Sequence, residues 1–155
     1  QDGLSLAESC EAARALAAEG IDAIEVSGFM LDGDERHAPS RKGDPAPRDE
    51  GYYLPQTVEI KRAAGHIPVG ACGGFRSYDA IARALEAEGL DFIAASRPFI
   101  AEPDLARRFQ AGQRRAACIS CNECAAPKDA PIRCPLAADG RLRITPASGP
   151  PGPKQ

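Results

Sequence analysis

The chain has 155 residues, with 19 basic and 22 acidic side chains, a formal charge of −3, six cysteines and no tryptophan. The charges are interspersed, so nucleic acid finds no basic footprint, and no apolar stretch approaches the ~18 residues that cross a bilayer. Three cysteines fall within seven residues, from Cys118 to Cys124. Such crowding suits metal ligation better than disulfide bridging and points to a reducing cytoplasm.

Ser5-Leu6-Ala7-Glu8 is a capping box, in which the Ser hydroxyl and the Glu carboxylate satisfy each other's orphan backbone donors. It predicts a helix with Leu6, Cys10, Ala13, Leu16 and Ala17 on one face, closed by Gly20. Ile21 to Ser27 reads as a buried strand. A polar loop follows from Gly28 to about Gly51, rich in Asp, Arg, Pro and Gly, and ends in Tyr52-Tyr53-Leu54-Pro55. Structureless loops of this length tend to be lids or inserts. The two tyrosines are expected to pack at its base. A helix over Gln56–Ala64 leads to a strand-like run, Ile67-Pro68-Val69-Gly70-Ala71-Cys72. A helix-like stretch, Ser77 to Glu88, separates it from a second run, Leu90 to Ala95. Pro103 suits the first position of a last helix reaching about Gln110, with Gly112 as its cap. Residues 116–145 form a cysteine-bearing segment. Residues 146–155 hold four prolines and two glycines and are expected to be disordered.

Ala15 to Ser27 recurs 69 positions later as Ala84 to Ser96, with helix end, Gly, Asp, apolar strand and a terminal Ser in the same order. Either duplication or the common grammar of αβ connections explains this. Both imply repeated αβ units and a parallel sheet.

Gly73-Gly74 leaves one predicted strand and Ser96-Arg97-Pro98 leaves the next. Together they offer bare N–H groups and a bidentate cation, which is what a phosphate requires. A helix N-terminus near Ser77 would add partial positive charge. In (β/α)₈ barrels the phosphate site is often built by the loops after strands 7 and 8. Residues 1–115 are therefore expected to be the C-terminal βα units of a (β/α)₈ TIM barrel. A whole barrel takes about 200 residues or more, which suggests a fragment.

The cysteines read C-x₂-C-x₂-C-x₉-C through Cys118, Cys121, Cys124 and Cys134, with Pro135 directly after. Four thiolates fit a [4Fe–4S] cluster or tetrahedral zinc, and unmetallated thiols stay open as a third reading. Cys10 and Cys72 read as small core residues. His37 and His66 read as solvated.

Gly51-Tyr52-Tyr53-Leu54-Pro55, Gly73-Gly74-Phe75-Arg76, Asp91-Phe92-Ile93, Ser96-Arg97-Pro98 and Glu102-Pro103-Asp104-Leu105 together resemble the C-terminal part of the old yellow enzyme family of NADH:flavin oxidoreductases. Gly20 to Gly28 resembles that family's sixth strand. Cys118-Ile119-Ser120-Cys121-Asn122-Glu123-Cys124 resembles the cysteine segment of its 2,4-dienoyl-CoA reductase-like subgroup, which carries a cluster there with somewhat longer spacings. The resemblance implies a barrel with non-covalent FMN, reduced by NAD(P)H and re-oxidised by an activated alkene or similar acceptor. It assigns the FMN phosphate to Gly73, Gly74 and Arg97, with Ser96 standing where the family usually has Gly. The family's catalytic residues lie on earlier strands, so no residue of this chain is assigned as catalytic. Two other functions fit the same residues. One is an aldolase- or isomerase-type barrel that holds a sugar phosphate, and the other is a non-catalytic metal-binding module. Substrate, NADH against NADPH and oligomeric state have no signature here.

Overall fold

The computed structural model describes residues 3–28, 40–124, 131–142 and 144. His37, part of the polar loop and the proline-rich tail lie outside the described residues. Strands β1 (Ile24–Val26), β2 (Val69–Cys72) and β3 (Phe92–Ala94) form one parallel sheet in that spatial order. Ile24 sits beside Val69 and Val26 beside Ala71, while Gly70 pairs with Phe92 and Cys72 with Ala94. Parallel pairing brings the exits of β2 and β3 to one end of the sheet, where Gly73 and Ser96 emerge. All three strands are shorter than their apolar runs. Ile21, Ile67 and Leu90 precede the ladder, although Ile67 and Leu90 are buried in the core.

Helix α1 (Leu6–Ala18) begins with the expected capping box: Ser5 N–H donates to Glu8 Oε2 at 2.7 Å, and Glu8 N–H donates to Ser5 Oγ at 3.3 Å. Helix α2 (Leu54–Ala64) starts two residues before the expected Gln56, with Pro55 in the first turn, where its missing N–H leaves nothing unpaired. These helices pack together over the sheet through Ala13, Val26, Ile60, Ala64, Ile67 and Val69, with Cys10 at the edge of the cluster as expected. A second cluster joins Ala71 and Phe75 to Ala80, Ala84 and Leu90. Its helix, α3 (Tyr78–Ala82), runs into a π-helical turn over Arg83–Ala87, so the helical stretch between the two strands is present but widens at its end. Gly20 and Gly89, the matched glycines of the recurring sequence, both take left-handed backbone (φ +85° and +69°) ahead of the two outer strands.

Two features differ from the sequence expectation. A short helix, α4 (Ser96–Ala101), starts at the exit of β3. Pro103 does not open the last helix: α5 (Leu105–Gln110) has Asp104 at its N-cap, and Pro103 occupies the turn closed by Leu105 N–H donating to the Glu102 carbonyl. Proline is favoured at that turn position because its φ is already set. Gly112 (φ +98°) follows α5. A final helix, α6 (Pro135–Ala138), carries Cys134 at its N-cap. Among the described residues, no helix is long and apolar enough to cross a membrane.

Candidate functional site

Gly73 and Gly74 leave β2 with φ of +120° and +77°, backbone that a side chain rarely adopts. The ring of Tyr52 lies against both. A Cβ on Gly74 would stand 2.7 Å from it and a Cβ on Gly73 2.9 Å. Tyr52 also donates its N–H to the Gly73 carbonyl at 3.2 Å. Conformation and contact thus both demand glycine here. Ser96 and Arg97 open α4 directly beyond β3. The structure brings Gly73, Gly74, Ser96 and Arg97 together in the wall of one cavity of about 180 Å³. Cys72 lines the same cavity and is half-buried, so it is not the core residue expected from sequence. Burial pushes its thiol up, and the Glu25 charge adds to the shift.

Arg97 is held in place. Its Nη1 donates to the Arg41 carbonyl at 2.8 Å and to Asn122 Oδ1 at 2.6 Å. Nε and Nη2 bond no other protein group among the described residues, which leaves a planar fork for two anion oxygens. The Arg41 guanidinium stacks 4.0 Å over the centre of the Tyr52 ring. Asn122 donates its amide to the Ser40 carbonyl at 2.8 Å. Loop, cradle and cysteine segment therefore meet at Arg97.

The helix N-terminus at Ser77, expected to face the anion, is already occupied. The buried Glu50 carboxylate accepts from Arg76 N–H and Ser77 N–H at 2.8 Å each and from Ser77 Oγ at 2.7 Å. A protein carboxylate thus neutralises the partial charge and the free donors. Beside it lies Arg76, only 2% exposed. Its Nη1 donates to Asp44 Oδ1 at 2.8 Å and to the Cys118 carbonyl at 2.9 Å, and its Nη2 to the Gly43 carbonyl at 2.8 Å. Burial pushes the guanidinium below the usual arginine value, and the Asp44 charge works against that shift. Neither Glu50 nor Arg76 was picked out as a site residue from sequence. Glu50 ends a charged Arg-Asp-Glu run and Arg76 follows Gly-Gly-Phe, and their partners lie 26 to 42 positions away.

Cys118, Cys121, Cys124 and Cys134 are free thiols that line one small cavity with Leu136, Ser120 and Arg97. Ser120 N–H donates to Cys118 Sγ at 3.4 Å. Ser120 and Asn122 both take left-handed backbone (φ +52° and +66°). Burial pushes the Cys124 thiol up, and Cys118 and Cys134 add to the shift. Among the described residues no three His, Cys, Asp or Glu side chains are grouped as they would be around a metal ion. The four thiols share a cavity without forming a ligand shell. Arg97 and Ser120 belong to both the cysteine cavity and the phosphate cavity.

No family model matches the chain. Over 79 residues it is 35% identical to the 4,4'-dithiodibutanoate disulfide reductase of Rhodococcus erythropolis, a match that covers 50% of this chain and 19% of that protein. The chain thus spans well under two thirds of the relative's length. This partial likeness supports an oxidoreductase.

Proposed function

We propose that this chain is the phosphate-holding end of a (β/α)₈-barrel oxidoreductase of old yellow enzyme type, carrying FMN and drawing on NAD(P)H. The observation that carries the reading is the convergence of Gly73, Gly74, Ser96 and Arg97 on one cavity at the exits of two adjacent parallel strands. The left-handed glycines, the packed tyrosine ring and the open fork of Arg97 suit a phosphate monoester. When bound, FMN would supply hydride and electron transfer between NAD(P)H and an acceptor. The residues here bind and orient: Gly73 and Gly74 present bare backbone, Ser96 a hydroxyl, and Arg97 two N–H groups in one plane. Leu4 and Leu6 remain exposed beside a cavity of about 510 Å³ flanked by Val26 and Ile60 on the β1 side of the sheet, as suits further barrel strands there.

The same grip would serve a sugar phosphate in an aldolase or isomerase, but the partial likeness to a disulfide reductase favours redox chemistry. That relative's name adds an organic disulfide to activated alkenes as a candidate acceptor class. For the cysteine cavity the proposed group is a [4Fe–4S] cluster, with zinc as the alternative. The support is the donor set, four cysteines that share one cavity wall, and their sulfurs would have to draw together around either group.

The deciding experiment is anaerobic purification of the whole protein, followed by flavin spectroscopy and metal analysis. The expected result is bound FMN and about four iron atoms per chain. Protein that neither contains nor binds FMN overturns the flavin reading. Zinc without iron replaces the cluster with a structural clamp.

A further inference from the structure

The cysteine segment is fastened to the phosphate cradle at two points. At its start, Ala116 N–H donates to the Arg76 carbonyl at 2.9 Å, and the Cys118 carbonyl accepts from Arg76 Nη1 at the same distance. Arg76 is buried and stands two residues beyond Gly74, so this end of the segment is tied to the cradle loop itself. The second point is Asn122, one residue after Cys121 and two before Cys124. Its amide is pinned at both ends: Oδ1 accepts from Arg97 at 2.6 Å, and the nitrogen donates to the Ser40 carbonyl at 2.8 Å. Asn122 lines the cysteine cavity, and Arg97 lines both that cavity and the cradle. The thiols share their cavity without a ligand shell, so a metal bound there draws the sulfurs together around this pinned side chain. Ligation through Cys121 and Cys124 then restricts the left-handed backbone of Asn122 (φ +66°) from both sides.

We propose that metal binding by the four thiols and anion binding at the cradle are coupled through Asn122 and Arg97, each tightening the other. The inference rests on the phosphate and thiolate readings of the two cavities, and it makes FMN retention depend on a filled cysteine cavity. A metal holds Asn122 in place, Asn122 holds Arg97, and the anion meets a guanidinium that is already ordered. In the other direction, an anion on Arg97 Nε and Nη2 fixes the guanidinium and with it Asn122. Linkage requires the two effects to be equal. One effect opposes them: four thiolates around a divalent metal leave net negative charge beside Arg97, which repels the phosphate. Without Asn122 only this repulsion remains.

The test takes the flavin-free full chain under anaerobic conditions, with Zn²⁺ as the metal and FMN as the anion. Flavin fluorescence gives FMN affinity with metal chelated away and with equimolar zinc. Zinc should tighten FMN binding about fivefold or more, and FMN should tighten zinc binding, read by chelator competition, by the same factor. Asn122→Ala should bring that ratio to one or below. A merely structural role for Asn122 would weaken FMN binding and leave the ratio intact. Equal or weaker FMN binding with zinc, or a ratio preserved in Asn122→Ala, overturns the coupling while both sites stand. Chain that circular dichroism shows to be folded but that binds no FMN overturns the cradle reading. Folded chain that binds no zinc overturns the thiolate reading, and the coupling falls with either.

Discussion

Arg97 Nη1 donates a 2.6 Å hydrogen bond to Asn122 Oδ1, so a side chain of the cysteine segment aims the cation of the cradle. Arg97→Ala should remove a charge-assisted contact of about 1.5–3 kcal/mol, weakening FMN binding roughly ten- to hundredfold. Arg97→Lys should recover part of that, because an ammonium cannot match two oxygens in a plane. Asn122→Ala leaves the cation present but unaimed and should cost about 1 kcal/mol. Flavin fluorescence titration measures all three, and unchanged affinity in Arg97→Ala would move the site elsewhere.

Gly74→Ala and Gly89→Ala separate contact from conformation. Both glycines have positive φ, +77° and +69°, but a Cβ meets the Tyr52 ring at 2.7 Å only at Gly74, while Gly89 faces open space. Gly89→Ala should lose about 1 kcal/mol of stability from backbone strain alone. Gly74→Ala should lose that and a further ~1–3 kcal/mol from displacing the ring. Urea unfolding gives both values, and equal losses would mean that the tyrosine yields freely.

Glu50 satisfies two backbone donors and a hydroxyl in a site where it is 3% exposed. Glu50→Ala strands all three, with an expected loss of about 3–5 kcal/mol. Glu50→Gln keeps one acceptor oxygen and should lose about half as much. A Glu50→Ala protein that unfolds at the wild-type urea midpoint would contradict the capping role.

Asp91 links acid to stability. Its carboxylate accepts from Lys61 Nζ at 2.6 Å and from Val69 N–H at 2.7 Å. The lysine first, and then the backbone N–H, hold its pKa below the ordinary 3.8. A carboxyl depressed by folding stabilises fully above its unfolded pKa and loses that contribution as pH falls through its folded pKa. The side chain is 40% exposed, so solvent limits the effect to about 1 kcal/mol at most. Asp91→Asn should lower stability near neutrality by that amount and flatten the decline below about pH 4. A wild-type acid limb retained in Asp91→Asn would assign the proton uptake to another group.

Local chemistry made some of this legible and geometry hid the rest. The Ser5–Glu8 box, the paired glycines and the apolar runs act within a few residues, so helix α1, the turn at Gly73 and the three strands are visible in the sequence. Gly73, Gly74, Ser96 and Arg97 could be grouped because neighbouring parallel strands must release their chains at the same end. Strand length could not be read, because a strand ends where its neighbour's backbone leaves it rather than where apolarity stops. Arg41, Glu50 and Arg76 sit at positions with no periodic signature, and their roles exist only once distant segments are packed. Cys72 looked like core from its neighbours, yet the backbone turns at Gly73 and leaves it in a cavity wall.

Arg76 fastens segments 33 and 42 positions away by hydrogen bonds to Gly43 and Cys118, while its own carbonyl accepts from Ala116 N–H at 2.9 Å. Closing loops of that length costs chain entropy before any bond repays it. The junction should therefore assemble late in folding and open as one cooperative unit. Hydrogen exchange should show the Arg76, Ser77 and Ala116 amides sharing one opening free energy, below that of Val69 and Ala71 in the central strand. Loosening the polar loop and freeing the cysteine segment would then be a single event, so proteolysis at either place reports the state of the other.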